Sequence, residues 1–309
     1  MKPNVTGPCA AISRREYETL VMSLPSSGPG APPHTLWGIS PLAPLHLGLD
    51  KLIVHQQWLI AAGAEHTIVL ADVHATLCAG PMPHLNEQRT RCYEHYLLQE
   101  CGLNATLVRG SAFQHSPTYQ QQLGRLLASA DVPPGRATRA DARATAAAMQ
   151  ILDPVFLGVD AVLVEAGDYR AGDTPISIIT PTLYDTHGRP LRESTPRTRI
   201  TVHDDHATLT RKIKHMYAPP PEHTSAEDGR VNALLEHFRW SVFPWTAEAV
   251  PIHLAAGGYA FFHSYEDLRQ AYNAGRITPG DAKTALLIML SARLQMIQVN
   301  LRLALRDFS

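Results

Sequence analysis

The chain has 309 residues, of which 45% are hydrophobic and 18% charged, with a formal net charge of -1. That length buries a sizeable core and predicts one large domain, or a large one with a smaller companion. Near-neutral charge excludes a general basic coat for nucleic acid, so any RNA contact has to be a local patch.

Residues 1–18 carry no apolar core of signal-peptide length. The stretch LPSSGPGAPPH, residues 24–34, reads as a linker between an N-terminal helix and the body of the chain. A strand is expected at 35–40 and a helix at 47–62. Residues 65–72, EHTIVLAD, form an unbroken β-branched and aliphatic run that reads as a buried strand. Helix follows at 86–101, strand at 105–110, helices at 119–130 and 138–152, then strands at 160–167 and 175–180. Strands alternating with helices, the strands as buried runs, predict an α/β fold with a doubly wound parallel sheet.

After residue 206 the strand signals stop. Residues 206–217 and 225–240 read as helical. SYEDL and TPGD each start a helix with a capping-box pattern, and Pro279 suits a first-turn position. The last helix is expected over 280–305. This predicts three segments: 1–34 as helix and linker, 35–220 as the Rossmann-like domain, and 221–309 as an all-helical C-terminal domain. The apolar run at 285–290 is too short to cross a bilayer. Cys9, Cys78, Cys92 and Cys101 form no CxxC pair and read as reduced thiols of a cytoplasmic protein.

Several segments in order carry a resemblance. WGISPLAPLHLGLDKL and LIAAGAEHTIVLADVHATL come first, then CGLNATLVRGSAFQ and MQILDPVFLGVDAVLVEAGDYR. RKIKHMYAPP and SYEDLRQAYNAGRITPGDAK follow. Together they resemble the class I aminoacyl-tRNA synthetases, and among these the archaeal and eukaryotic type of tyrosyl-tRNA synthetase. The resemblance implies ATP-dependent activation of an amino acid, with ATP carrying Mg2+, and transfer of the aminoacyl group to tRNA by a homodimer. It places the ligands at the carboxyl ends of the central strands. It also implies two signatures: His-x-Gly-His at the start of the first helix, and a lysine- and serine-rich loop that holds pyrophosphate.

The chain departs from both signatures. His46 and Gly48 match the first, but Leu49 replaces its final histidine, and losing one such donor costs about 3 kcal/mol of transition-state stabilisation. Where the second belongs, the chain reads GRPLRESTPRTR. Arg192 and Arg197 stand in for the lysines, among Glu193 and Pro196, and a solvated basic loop without catalytic duty is the competing reading.

The implied amino-acid pocket also differs. Leu36 takes a tyrosine position on the first strand near Gly38, and Ala146 takes a second tyrosine position. Gln150 and Asp153 are kept, and Tyr169 beside Asp168 replaces a glutamine. Asp153 either meets a polar substrate side chain or pairs within the fold, since a buried carboxylate needs a partner. His74, Phe113 and Gln114 either line the pocket or pack. Pro279 and Asp281 match a turn that contacts tRNA, and they equally suit the first turn of a helix.

Of the remaining candidates, Asp204 and Asp205 in HDDH read as helix caps, and no metal-binding spacing organises the 16 histidines. Arg211, Lys212, Lys214 and His215 form a basic helical stripe, read as a solvated face or as the mouth of the site. Trp240 and Trp245 read as packing between the two domains. A repurposed fold that takes aminoacyl-tRNA charged elsewhere, or binds tRNA or protein without catalysis, remains the alternative function.

Overall fold

The computed structural model describes residues 13–26, 28, 30–79, 83–129, 139–165, 175–191, 196–219 and 229–305. The chain divides into two compact units, one of Met1–Pro44 and His55–Pro181, the other of Leu45–Val54 and Thr182–Ser309. The expected break at residue 220 does not coincide with this division. Residues 182–220 and the signature segment around His46 group with the C-terminal helices.

Helix α1, Arg14–Ser23, opens with a capping box in which Ser13 and Glu16 satisfy each other's backbone N–H groups. Strands β1 (His34–Ile39), β2 (Glu65–Leu70), β3 (Thr106–Arg109), β4 (Ala161–Val164) and β5 (Ile176–Ile179) form one parallel sheet, ordered β3-β2-β1-β4-β5. β2 is buried at every position after Glu65, as its unbroken apolar run requires. Winding reverses between β1 and β4, and the crevice beyond the carboxyl ends of those strands is where such sheets hold ligands.

Helix α2 (Asp50–Ala61) follows a short 3-10 turn, Leu47–Leu49. Next come α3 (Asp72–Ala79), α4 (Pro83–His95, continued by a π turn to Glu100), α5 (Ser111–Gln114), α6 (Pro117–Ser129) and α7 (Arg139–Phe156). α7 runs through Pro154 and past its expected end at 152. The proline removes a backbone donor; two residues on, Phe156 stacks on Phe113, with ring centroids 5.7 Å apart.

The second unit contains α8 (His206–Lys214), α9 (Ala233–His237, continued by a π turn, Phe238–Val242), α10 (Tyr265–Asn273) and α11 (Pro279–Ala304). It is helical apart from one element absent from the expected layout. β6 (Val250–His253) and β7 (Tyr259–Phe262) form an antiparallel hairpin, which corrects the all-helical reading. Val250, Ile252 and Phe262 are buried while Pro251, His253, Tyr259 and Phe261 face outward. Gly257 and Gly258, both at positive φ, make its turn. Pro251 masked the strand in the sequence.

α11 buries Ala282, Ala285, Leu286, Leu290, Leu294, Ile297 and Leu301, a stripe at helical spacing packed against α8, α9 and β6. Among the described residues it is the one helix long and apolar enough to cross a bilayer. One stripe of it packs into this unit, and its Arg293 pairs with Asp50. Asp205 caps α8 by accepting from the Thr208 backbone N–H at 2.7 Å, as the capping reading of HDDH expects. Lys212 leaves the basic stripe: it is buried and paired with Asp204 at 2.7 Å, while Arg211, Lys214 and His215 stay exposed.

Candidate active site

In the first unit, α7 brings Asp153 to Gln114 on α5 and Tyr119 on α6. Asp153 is buried near the end of α7. Its carboxylate accepts from Tyr119 Oη at 2.6 Å and from Gln114 Nε2 at 2.9 Å to each oxygen. Phe113, Tyr119 and Phe156 form three edge-to-face or stacked ring pairs with centroids 5.1–5.7 Å apart. Burial raises the Asp153 carboxyl above its ordinary range, against the lowering effect of the Tyr119 and Gln114 hydrogen bonds. The Tyr119 contact was not foreseen, and nothing in the spacing of residues 119 and 153 signals it.

Leu36 packs with Val69 and Val159, and Phe113, Leu157 and Val162 lie against them. Leu36 offers no polar atom to a ligand at this place. Two residues on, Gly38 faces open space, where a Cβ would meet nothing within 4 Å. Ala146 is buried on α7 and Gln150 is exposed on it. Beyond β1, Ser40 Oγ lies 3.0 Å from His74 Nδ1. Asp72 ties the ends of β2 and β3 together by accepting from the Ser111 backbone N–H at 2.8 Å and from the Ser111 hydroxyl. Asp168 and Tyr169 lie outside the described residues.

The signature segment belongs to the second unit. His46 forms an isolated antiparallel bridge with Thr201, and the Leu47 N–H donates to the Ile200 carbonyl at 2.9 Å. The His46 ring is buried, and its Nδ1 has no hydrogen-bond partner among the described residues. Burial first, then Arg199 and His237, push its pKa down to about 3, so the ring is neutral near pH 7. A neutral imidazole acts on phosphate through one N–H donor and carries no net charge.

The ring lies against the bare Cα of Gly48: a Cβ there would stand 2.9 Å from His46 Nδ1 and 3.3 Å from Cε1. Gly48→Ala is therefore expected to displace the imidazole. If this segment serves nucleotide binding, amino-acid-dependent ATP–pyrophosphate exchange should fall roughly a hundredfold. Unchanged exchange in that variant would detach the His46 position from catalysis. Leu49 is buried and offers no donor.

Gly48 also lines a small open cleft with Lys51, Tyr184, Glu236, Trp240 and neighbouring residues. Lys51 is buried there. Its Nζ bonds Glu236 at 2.9 Å and the Thr182 carbonyl at 3.1 Å, and lies 5.2 Å from the Tyr184 ring centroid and 5.5 Å from that of Trp240. Asp50, one residue earlier, is fully buried and bidentate with Arg293, whose guanidinium stacks on Trp245 at 4.4 Å. Trp240 and Trp245 thus carry cations on their faces within this unit.

Arg197 is exposed in the 3-10 turn Pro196–Thr198, and Arg192 lies outside the described residues. Asp281 accepts from the Thr278 N–H and hydroxyl and from the Ala255 N–H at 2.9 Å, so its carboxylate already holds a helix start and the hairpin turn. Pro279 fills the first turn of the same helix. No cluster of three or more His, Cys, Asp or Glu suited to a metal ion occurs among the described residues.

The chain is 31% identical over 285 residues to the tyrosine–tRNA ligase of Methanospirillum hungatei, covering 80% of this chain and 84% of that protein. It belongs to the tyrosine–tRNA ligase family. The ligase of Methanoculleus marisnigri is likewise 31% identical, over 283 residues covering 80% of this chain and 84% of that protein. Among solved structures, the tyrosyl-tRNA synthetase of Archaeoglobus fulgidus, complexed with L-tyrosine, superposes with a TM-score of 0.71 at 21% identity. The match covers 94% of each chain. No family model matches the chain. These likenesses support the archaeal type of class I ligase and the Rossmann-like fold with its helical part.

Proposed function

We propose that this member of the ligase family activates an amino acid with ATP and transfers it to tRNA, as a specialised relative whose preferred amino acid is not tyrosine. In this reading ATP arrives with Mg2+. His46 and Gly48 receive the adenine and phosphate end, and Arg192 and Arg197 replace the lysines of the signature loop. Leu36, Gly38, His74, Ala146, Gln150, Asp153, Asp168 and Tyr169 attend the amino acid. Pro279 and Asp281 belong to the tRNA-facing part. The protein acts in the cytoplasm, away from membranes, as a homodimer.

The observation that carries the reading is the seating of the His46 ring on Gly48, a position where only glycine leaves it room. Burial of Leu36 in an aliphatic cluster supports the change of amino acid. The test is ATP–pyrophosphate exchange across a panel of amino acids. Exchange is expected with at least one of them, more strongly than with tyrosine. Leu49→His is expected to raise the rate up to roughly a hundredfold, read beside a melting curve because Leu49 is buried.

Leu49 itself favours a second reading, a fold that uses aminoacyl-tRNA charged elsewhere or binds tRNA or protein without catalysis. Absence of exchange with every amino acid, together with tRNA binding, would replace the first reading by this one.

A further inference from the structure

Ser40 is the first residue beyond β1, at the carboxyl edge where the winding of the sheet reverses. Its hydroxyl lies 3.0 Å from His74 Nδ1, close enough for proton transfer. The other ring nitrogen, Nε2, lies 3.9 Å from Cys78 Sγ, a distance that suits a weak N–H to sulfur contact. In the tautomer that carries the ring proton on Nε2, Nδ1 is free to accept from Ser40. The Ala71 carbonyl is a longer partner for the hydroxyl, at 3.5 Å. Ser40, His74 and Cys78 are all only partly buried, so a substrate can reach them. Alternation along the strand puts Gly38 on the same face as Ser40, and the space beside Gly38 is open. A hydroxyl and an adjacent base therefore meet at the carboxyl edge of the sheet, beside an exposed glycine that puts no side chain in the way.

We propose that Ser40 is a nucleophile, with His74 as its base, that takes the acyl group from an aminoacyl ester. Ser40 Oγ attacks the ester carbonyl. The new Oγ–C bond forms as the bond from that carbon to the ribose oxygen breaks. The hydroxyl proton passes to His74 Nδ1 and from there to the leaving oxygen. The products are an aminoacyl ester on Ser40 and a free ribose hydroxyl, and no oxidant or reductant is involved. Attack by water or an amine on the same carbonyl then releases the acyl group and returns the proton to Ser40. Burial keeps the His74 pKa below its ordinary value, so the ring is in its basic, neutral form near pH 7. The step does not depend on amino-acid activation by this chain, because the ester can be supplied ready-made.

The test uses the full-length protein and bulk tRNA charged in advance with a mixture of radiolabelled amino acids. The reaction is quenched in acid and the protein is separated from tRNA under denaturing conditions. Label is expected to stay with the protein, and the peptide containing Ser40 is expected to gain the mass of an aminoacyl group. Ser40→Ala should abolish the label, His74→Ala should slow its transfer roughly a hundredfold or more, and Ser40→Cys should retain a label on the same peptide. No label on the wild-type protein would overturn the proposal. So would a label that survives Ser40→Ala, or one that maps to Cys78. ATP–pyrophosphate exchange, measured in parallel without charged tRNA, reports separately on the activation reading.

Discussion

Between pH 7 and pH 5 the protein is expected to lose about 5–6 kcal/mol of unfolding free energy, roughly 2 kcal/mol for each of three buried histidines. His46 is pushed down to about 3, by burial first and then by Arg199 and His237. His66 falls to about 4, by burial and then by His34. His237 also falls to about 4: burial dominates, Asp50 and Glu236 oppose it, and Arg293 adds to it. In the unfolded chain each ring titrates near about 6.5. The fold therefore binds fewer protons than the unfolded chain between these values. Its full stability holds above the unfolded pKa and drains away as pH falls toward 4 and then 3. Asp153, raised by burial, works in the opposite direction but is a single group. Urea unfolding at pH 7 and pH 5 measures the difference, and His66→Gln should remove about a third of it. Equal stability at the two pH values would mean that these rings take up protons within the fold.

Replacing Arg293 by Met should cost about 3–5 kcal/mol, because it leaves the fully buried Asp50 carboxylate without its guanidinium. Met keeps most of the apolar contact with Trp245, so the loss reports the charge and not the stem. Changing Asp50→Asn in the same chain removes the stranded charge, and the double variant should recover more than half of the loss. A double variant no more stable than Arg293→Met alone would show that the pair is not what holds the start of α2.

The sheet was legible because its strands read as short apolar runs between helices, and the central β2 is buried at every position after Glu65. EHTIVLAD and DAVLVEAG announce themselves without partners. The helix starts at Thr278 and Ser264 were legible because a cap is a local hydrogen bond between residues three apart. The hairpin was hidden by Pro251, a poor strand former that sits on the outward face. The long-range polar contacts had no signal at all. Asp50 and Arg293 are 243 residues apart, and Tyr119 and Asp153 are 34 apart, at spacings that carry no periodicity. Lys212 looked like part of a solvated stripe until its pairing with Asp204 placed it inside. The sequence singles out the glycine at position 48 by its motif, while its packing against the imidazole two residues earlier is visible only in three dimensions.

The carboxylate of Asp153 already answers its own chain: three of its roughly four acceptor positions are spoken for by Tyr119 and Gln114. A guest side chain at that place would gain little from offering a hydroxyl, and sorting among guests would fall to volume. Volume is a coarse judge, since one methylene changes selection only about 10- to 200-fold. Fidelity in such an enzyme would rest on which amino acids the cell keeps abundant, or on a later step that discards mistakes.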